Sequence, residues 1–179
     1  SRPTSLPFAP KSRKILDSTS ALKLEEIPKR LFIIGGGIIG LEMACVYAEL
    51  GSQVTIIELS SNLLNGVDKD LVRPLERKLK NKLESIYKST KVIAIDETPE
   101  GFILTLEGEL APEKLACDAI LVATGRIPNT ELLNLDKIGV FTDDQGFIRV
   151  DNQLRTNIAN VFAVGDVTGN PMLAHKSTY

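Results

Sequence analysis

Leu31, Phe32, Ile33 and Ile34 run without a polar break into Gly35, Gly36, Gly37, Ile38, Ile39 and Gly40. An apolar strand without alternation must be covered on both faces, the condition of a parallel sheet packed between other layers. Glycines at 35, 37 and 40 have the spacing GxGxxG, a weak signal alone that gains force between a strand and a helix. Gly35 permits the tight turn, Gly37 lets a diphosphate approach the backbone, and Gly40 lets the helix lie against the strand. The helix expected over 38–50, closed by Gly51 in a left-handed conformation, offers unpaired amides and its positive dipole end to an anion. A β-branched strand over 54–58 follows and ends in Glu58. That carboxylate can accept from both hydroxyls of an adenosine ribose, whereas a 2′-phosphate would bring like charges together. NAD is therefore expected over NADP, and no Lys or Arg lies between Leu59 and Asp68 to favour the phosphate. The alternative is a plain glycine loop followed by a solvated strand-end acid.

Beyond this βαβ unit, a helix is expected over 70–83, with Leu71, Leu75, Leu79 and Leu83 on one face and Pro74 as an awkward guest. Its cations Arg77, Lys78, Lys80 and Lys82 read as a solvated face. Ile86 and Tyr87 fit a third strand, and 91–96 with 102–106 read as a hairpin turning at Pro99, Glu100 and Gly101. A continuous apolar strand over 119–123 then leaves the sheet through Thr124, Gly125, Arg126, Ile127, Pro128 and Asn129. Two further short strands are expected at 147–150 and 161–164. Upstream, Asp17 and Ser18 can cap a short turn reaching Leu22. The expected fold is α/β: a Rossmann-like dinucleotide-binding domain with a parallel sheet and an antiparallel meander. It occupies 1–129, with 1–28 as a connecting segment, and 130–179 form an incomplete portion of a second domain.

A formal net charge of −2, with both signs scattered, excludes the basic stripe that nucleic-acid binding requires. No apolar run approaches the ~18 residues of a membrane span, and the N-terminal stretch lacks a targeting pattern, so a cytoplasmic protein without a membrane partner is expected. Cys45 and Cys117 lie far apart with no CxxC or CxxxxC pairing, and both read as inert buried thiols. No metal site is expected. The chain opens at Ser1 on a Pro-rich stretch and is expected to be part of something larger.

GGGIIGLEMA, ATGRIPN and TNIANVFAVGDVTGNPMLAHK resemble, in order and spacing, segments of the dihydrolipoamide dehydrogenases, within the flavoprotein disulfide reductases. The resemblance covers nearly the whole chain. It implies an NAD-binding domain followed by part of an FAD-binding domain. Asp166 would hold the ribityl chain of FAD, with Met172, Leu173, Ala174 and His175 bordering the flavin ring. Taken alone, Asp166 is a turn aspartate and His175 a surface residue. Glu42 would lie beside the nicotinamide, although by itself it is equally a first-turn acid favoured by the helix dipole. Val92 would line the adenine pocket through its backbone, and Ala123, Thr124, Gly125 and Arg126 would cross the nicotinamide end of NAD.

The reaction so implied oxidises dihydrolipoamide at a cysteine disulfide, passes electrons to FAD, and delivers hydride to NAD⁺. The implied setting is a homodimer serving 2-oxo acid dehydrogenase complexes through their lipoyl domains. These 179 residues hold neither the first glycine fingerprint for FAD, nor the CxxxxC pair, nor the terminal His and Glu base. No catalytic residue is therefore expected in this chain, its FAD site is incomplete, and the chain alone is expected to be inactive. Other enzymes of the same architecture (glutathione reductase, mercuric reductase, NADH oxidase) are alternatives, as is a non-catalytic NAD-sensing module. Glu58 and Gly40 weigh against the NADP users, and VFAVGD with MLAHK weighs against a simple sensor.

Overall fold

Apolar residues on both sides of its strands set the architecture. A computed structural model describes residues 1–178, which fall into two compact units: Pro3–Gly125, and Ser1–Arg2 with 126–178. In chain order the first unit contains Ile15–Leu16 (β1), Arg30–Ile34 (β2), Ile38–Glu49 (α1), Gln53–Ile57 (β3), Lys69–Lys80 (α2) and Ser85–Tyr87 (β4). Lys91–Thr98 (β5), Gly101–Glu107 (β6), Lys114–Cys117 (β7) and Ala119–Val122 (β8) complete it.

Strands β1, β8, β2, β3 and β4 form, in that spatial order, a parallel sheet. In register, Ile33 stands between Ile56 and Leu121, and Ile34 between Ile57 and Val122. Alternation along β2 sends Leu31 and Ile33 into a core shared with Leu41, Ala44 and Tyr47 of α1. Phe32 and Ile34 enter a second core with Phe102, Leu104 and Leu106 of β6. Each face of the sheet thus has its own cover: a helix on one side and the antiparallel meander β5, β6, β7 on the other. The expected α/β fold with a parallel sheet and a meander is the one observed.

Residues 99–100 connect β5 to β6, with Thr98 paired to Gly101. Gly101 has φ +139°, and a Cβ there would run into the Cys117 carbonyl oxygen, so only glycine closes this hairpin against β7. At the base of the sheet Arg30 donates through Nε and Nη2 to Asp118 Oδ1, at 3.1 and 2.6 Å, and its backbone N–H donates to Oδ2. Hydrogen bonding from Arg30 holds the Asp118 carboxyl below the usual carboxylate range. Upstream, Asp17 accepts from the Thr19 and Ser20 amides, and the short 3₁₀ helix occupies Ala21–Lys23.

Several expectations need correction. Helix α2 ends at Lys80, and its buried residues are Val72 and Leu79 with Leu75 packed beside them. Leu71 is 68% exposed, because a repeat of four overshoots each 3.6-residue turn by about 40° and so walks off one face. Pro74 sits inside α2 on its exposed side. Strand β7 joins the meander unannounced. Cys117 is buried as expected, but Cys45 is only half-buried on α1.

In the second unit, 147–150 and 161–164 are not strands. Among the described residues only isolated bridges form there, Thr142 with Ile148 and Arg155 with Phe162, since a strand needs a ladder partner running alongside. Its small core joins Leu135, Val140, Ile148 and Ala163. Phe141 and Phe162 of this unit are 61% and 62% exposed. Among the described residues no helix is long and apolar enough to cross a membrane, and no cluster of acidic, His or Cys side chains could hold a metal ion.

The two leucines of α2 separate the packing seen from the packing expected. Leu79→Ala should cost about 2–5 kcal/mol in urea unfolding, whereas Leu71→Ala should fall within about 0.5 kcal/mol of the parent chain. The opposite ranking would mean that α2 presents its other face.

Candidate functional site

The carboxyl ends of the parallel strands are laced together. Gly35 N–H donates to the Ile57 carbonyl at 2.9 Å, and Ala123 N–H donates to the Ile34 carbonyl at 2.8 Å. Glu58 N–H donates to the Tyr87 carbonyl at 2.8 Å, and Thr90 N–H donates to the Glu58 carbonyl at 3.0 Å. These bonds bring the turn after β2, the acid after β3 and the exit of β8 to one edge of the sheet. In open α/β sheets that edge, where the chain order reverses beside the first strand, is where ligands bind.

Each glycine of the turn has its own constraint. Gly35 adopts φ +115°, and a Cβ there would strike the Ala123 carbonyl oxygen, so it joins the turn to the β8 exit. A Cβ on Gly40 would collide with the Gly35 carbonyl oxygen and press on Ile33, so this glycine lets α1 start hard against the turn. Gly37 faces open space, with no heavy atom near a built Cβ. Nothing inside the protein requires glycine there, and the clear space beside its backbone fits a group arriving from outside.

Gly37 is also the N-cap of α1 and has no side chain to satisfy the first-turn amides. The first bond closing the helix runs from Leu41 N–H to the Gly37 carbonyl at 3.0 Å. The backbone N–H groups of the first turn therefore have no intrahelical partner, the arrangement that receives a phosphate. Ile38 is exposed at this end, Ile39 packs toward the core, and Glu42 is exposed one turn on.

Glu58 turns toward the glycines. Its Oε2 accepts from Gly36 N–H at 2.6 Å and its Oε1 from Ser60 N–H at 2.7 Å. An ionised carboxylate has about four acceptor sites, so each oxygen keeps capacity for a further hydroxyl donor. Val92 lies in β5 opposite Leu106, beside a bulge that displaces Ile93, with its side chain in the core. Thr124 and Gly125 leave β8 as an exposed loop, and Thr4 runs beside them. Thr4 N–H donates to the Gly125 carbonyl at 3.1 Å, and the Thr4 hydroxyl meets that of Thr124 at 2.8 Å.

Gly35, Gly36, Gly37, Gly40, Glu58 and Ala123 thus come together in the first unit. Arg126 and Asp166 belong to the second unit and meet there. Arg126 Nε donates to the Ser1 hydroxyl at 2.6 Å and stands 3.9 Å from Asp166 Oδ2, and the Ser1 hydroxyl donates to that same carboxylate. Met172 and Leu173 are half-buried, while Ala174 and His175 are exposed at the start of the 3₁₀ helix Ala174–Thr178. The pKa of the Cys117 thiol is pushed up to about 12 by burial, so it is protonated at neutral pH. Sequence reasoning missed Leu63, Leu64 and the particular role of Gly36. No sequence motif marks which side chain abuts a missing Cβ.

A glycine turn closing a parallel sheet, an uncapped helix behind it and a carboxylate on the adjacent strand are the features of the dinucleotide-binding α/β proteins. The chain belongs to the pyridine nucleotide-disulphide oxidoreductase family, whose model matches residues 2–179. It is 47% identical over its whole length to a dihydrolipoyl dehydrogenase of Vibrio cholerae and covers 38% of that relative. Among solved structures it resembles the HOCl-induced flavoprotein disulfide reductase RclA of Escherichia coli. The TM-score is 0.86 with 33% identity, over 99% of this chain and 40% of that one. LpdA of Mycobacterium tuberculosis superposes with a TM-score of 0.87 at 26% identity, over 99% of this chain and 38% of that one. The chain therefore spans about two fifths of the length of the relatives it matches.

The turn's asymmetry can be tested without any ligand. Gly40→Ala should destabilise the chain by about 2 kcal/mol or more, while Gly37→Ala, which loses only the N-cap preference of glycine over alanine, should cost no more than about 1 kcal/mol. Equal losses at both positions would show that Gly37 is held from within.

Proposed function

We propose that this chain is the NAD-binding part of a dihydrolipoamide dehydrogenase, followed by a portion of its FAD-binding domain. The observation that carries the reading is Gly37, a turn glycine with no internal reason to be glycine, beside an uncapped helix and a carboxylate. Within residues 35–40 the first-turn amides of Ile38, Ile39 and Gly40 would hold the diphosphate beside Gly37, while Gly35 and Gly36, whose N–H groups already bond Ile57 and Glu58, would shape the turn. Glu58 would accept from the adenosine ribose hydroxyls with its remaining lone pairs. Val92 would border the adenine. Glu42 and the segment Ala123, Thr124, Gly125 would serve the nicotinamide end, with Arg126 joining them or holding Asp166, its neighbour here.

In the second unit Asp166 would accept from a polyol chain of FAD in the place where it now accepts from Ser1, with Met172, Leu173, Ala174 and His175 near the ring. Bound FAD would supply the two-electron relay between a disulfide and the nicotinamide. The exposed Phe141 and Phe162 fit a unit whose remaining cover lies in the rest of a flavin domain. The whole protein is inferred to be a homodimer that oxidises the lipoyl groups of 2-oxo acid dehydrogenase complexes. Its sequence relatives of that name favour this over the other disulfide reductases.

Calorimetry should show NADH bound at least about tenfold more tightly than NADPH, a difference of ~1.4 kcal/mol. Equal or reversed preference refutes the assignment of Glu58 to an unphosphorylated ribose. Dihydrolipoamide, NAD⁺ and added FAD should give no turnover with this chain, whose cysteines, Cys45 and Cys117, form no CxxxxC pair. Any rate above a protein-free control would count against the reading.

A further inference from the structure

Three contacts converge on Gly36, between the first two glycines of the spacing. Its N–H donates to Glu58 Oε2 at 2.6 Å, and its carbonyl accepts from Leu64 N–H at 3.0 Å. A Cβ on Gly36 would press on the side chain of Leu63 and lie 3.2 Å from Glu58 Oε2. The other oxygen of Glu58 is held by Ser60 N–H, so the carboxylate cannot rotate outward without losing two charge-assisted hydrogen bonds. Leu63 is 1% exposed and belongs to the core beneath α1, so the chain between Glu58 and Leu64 is anchored there even though Leu59 is exposed.

We propose that Glu58 is a positioning residue as well as a ribose ligand: with Leu63 and Leu64 it forms a strut that fixes the Gly36 peptide and so aims the neighbouring amides of the turn at the diphosphate. The inference rests on the reading of this turn as the NAD site and adds to it a role that is independent of the sugar. Pre-set donors spare the ordering cost that a mobile glycine loop would impose on binding. The same pinning governs coenzyme choice. A carboxylate tied to Gly36 and Ser60 cannot swing aside for a 2′-phosphate, so the phosphate is refused by geometry as well as by charge.

The two roles separate when the ligand lacks the hydroxyls. Binding of NADH and of an NAD analogue built on 2′,3′-dideoxyadenosine is measured by calorimetry for the full chain and for Glu58→Ala, Glu58→Gln and Leu63→Ala, with thermal unfolding as the control for folding. Glu58→Ala is expected to weaken the analogue as well as NADH, by about tenfold or more, the size of a lost hydrogen bond to a charged group. Glu58→Gln keeps one oxygen that can accept from Gly36 N–H but sets its NH2 against Ser60 N–H, donor against donor, so it should weaken the analogue by less than Glu58→Ala does. Leu63→Ala should weaken both ligands although the carboxylate is still there. Equal affinity of the parent chain and Glu58→Ala for the analogue would reduce Glu58 to a ribose ligand and overturn the proposal. Amide hydrogen exchange by NMR decides the strut without nucleotide: Gly36 N–H should exchange slowly in the parent chain, and fast exchange there overturns it even if every variant unfolds. Slow exchange at Gly36 in a chain that fails to bind NADH would refute the nucleotide reading, and the aiming of the amides with it, while leaving the strut in place.

Discussion

Strand β2 is enclosed from both sides, and the remainder of the first unit is arranged around that enclosure. Leu31 and Ile33 are sealed by α1, Phe32 and Ile34 by the meander, and the neighbouring strands extend both layers in register. Burying both faces removes any choice of register, because a slip of one residue would exchange the two cores and their unlike shapes. The strand must then end where its covers end, and the chain can leave only through a tight turn into α1. Burial therefore places the glycine turn, and the turn's backbone creates the polar edge on which the proposed function depends.

The parts of this architecture governed by local composition could be read from the sequence. The run from Leu31 to Ile34, the glycines after it and Glu58 each carry a short-range signal whose meaning survives folding. Other features depended on partners that no local window contains. Lys114–Cys117 lacks β-branched residues and becomes a strand because β6 offers an edge to it. Conversely, the apolar segments ending at Val150 and Val164 look like strands but find only single bridges, so propensity without a ladder produced loops. In α2 the leucine repeat misled because its period differs from that of the helix, and Val72 took the core position instead of Leu71.

The candidate site divides along the same line. Spacing identified Gly35, Gly37 and Gly40, but their separate constraints emerge only from what surrounds each: a carbonyl, open space, and a second carbonyl. Glu58 was legible as an acid at a strand end, whereas its grip on Gly36 N–H was not, since that bond depends on the path of the chain through Leu63 and Leu64. Residues 172–175 were recognisable only through resemblance to a family, and in the second unit their surroundings add little to that.

The contrast between the two thiols has a practical side. Cys117 of β7 is sealed between the meander and the parallel sheet and stays protonated well above neutral pH, while Cys45 is partly open on α1, about two turns from the glycine bend. An electrophilic dye or spin label would therefore settle on one position without any cysteine being engineered in or out. Such a reporter would sit on the helix that starts at the turn, about two turns along it.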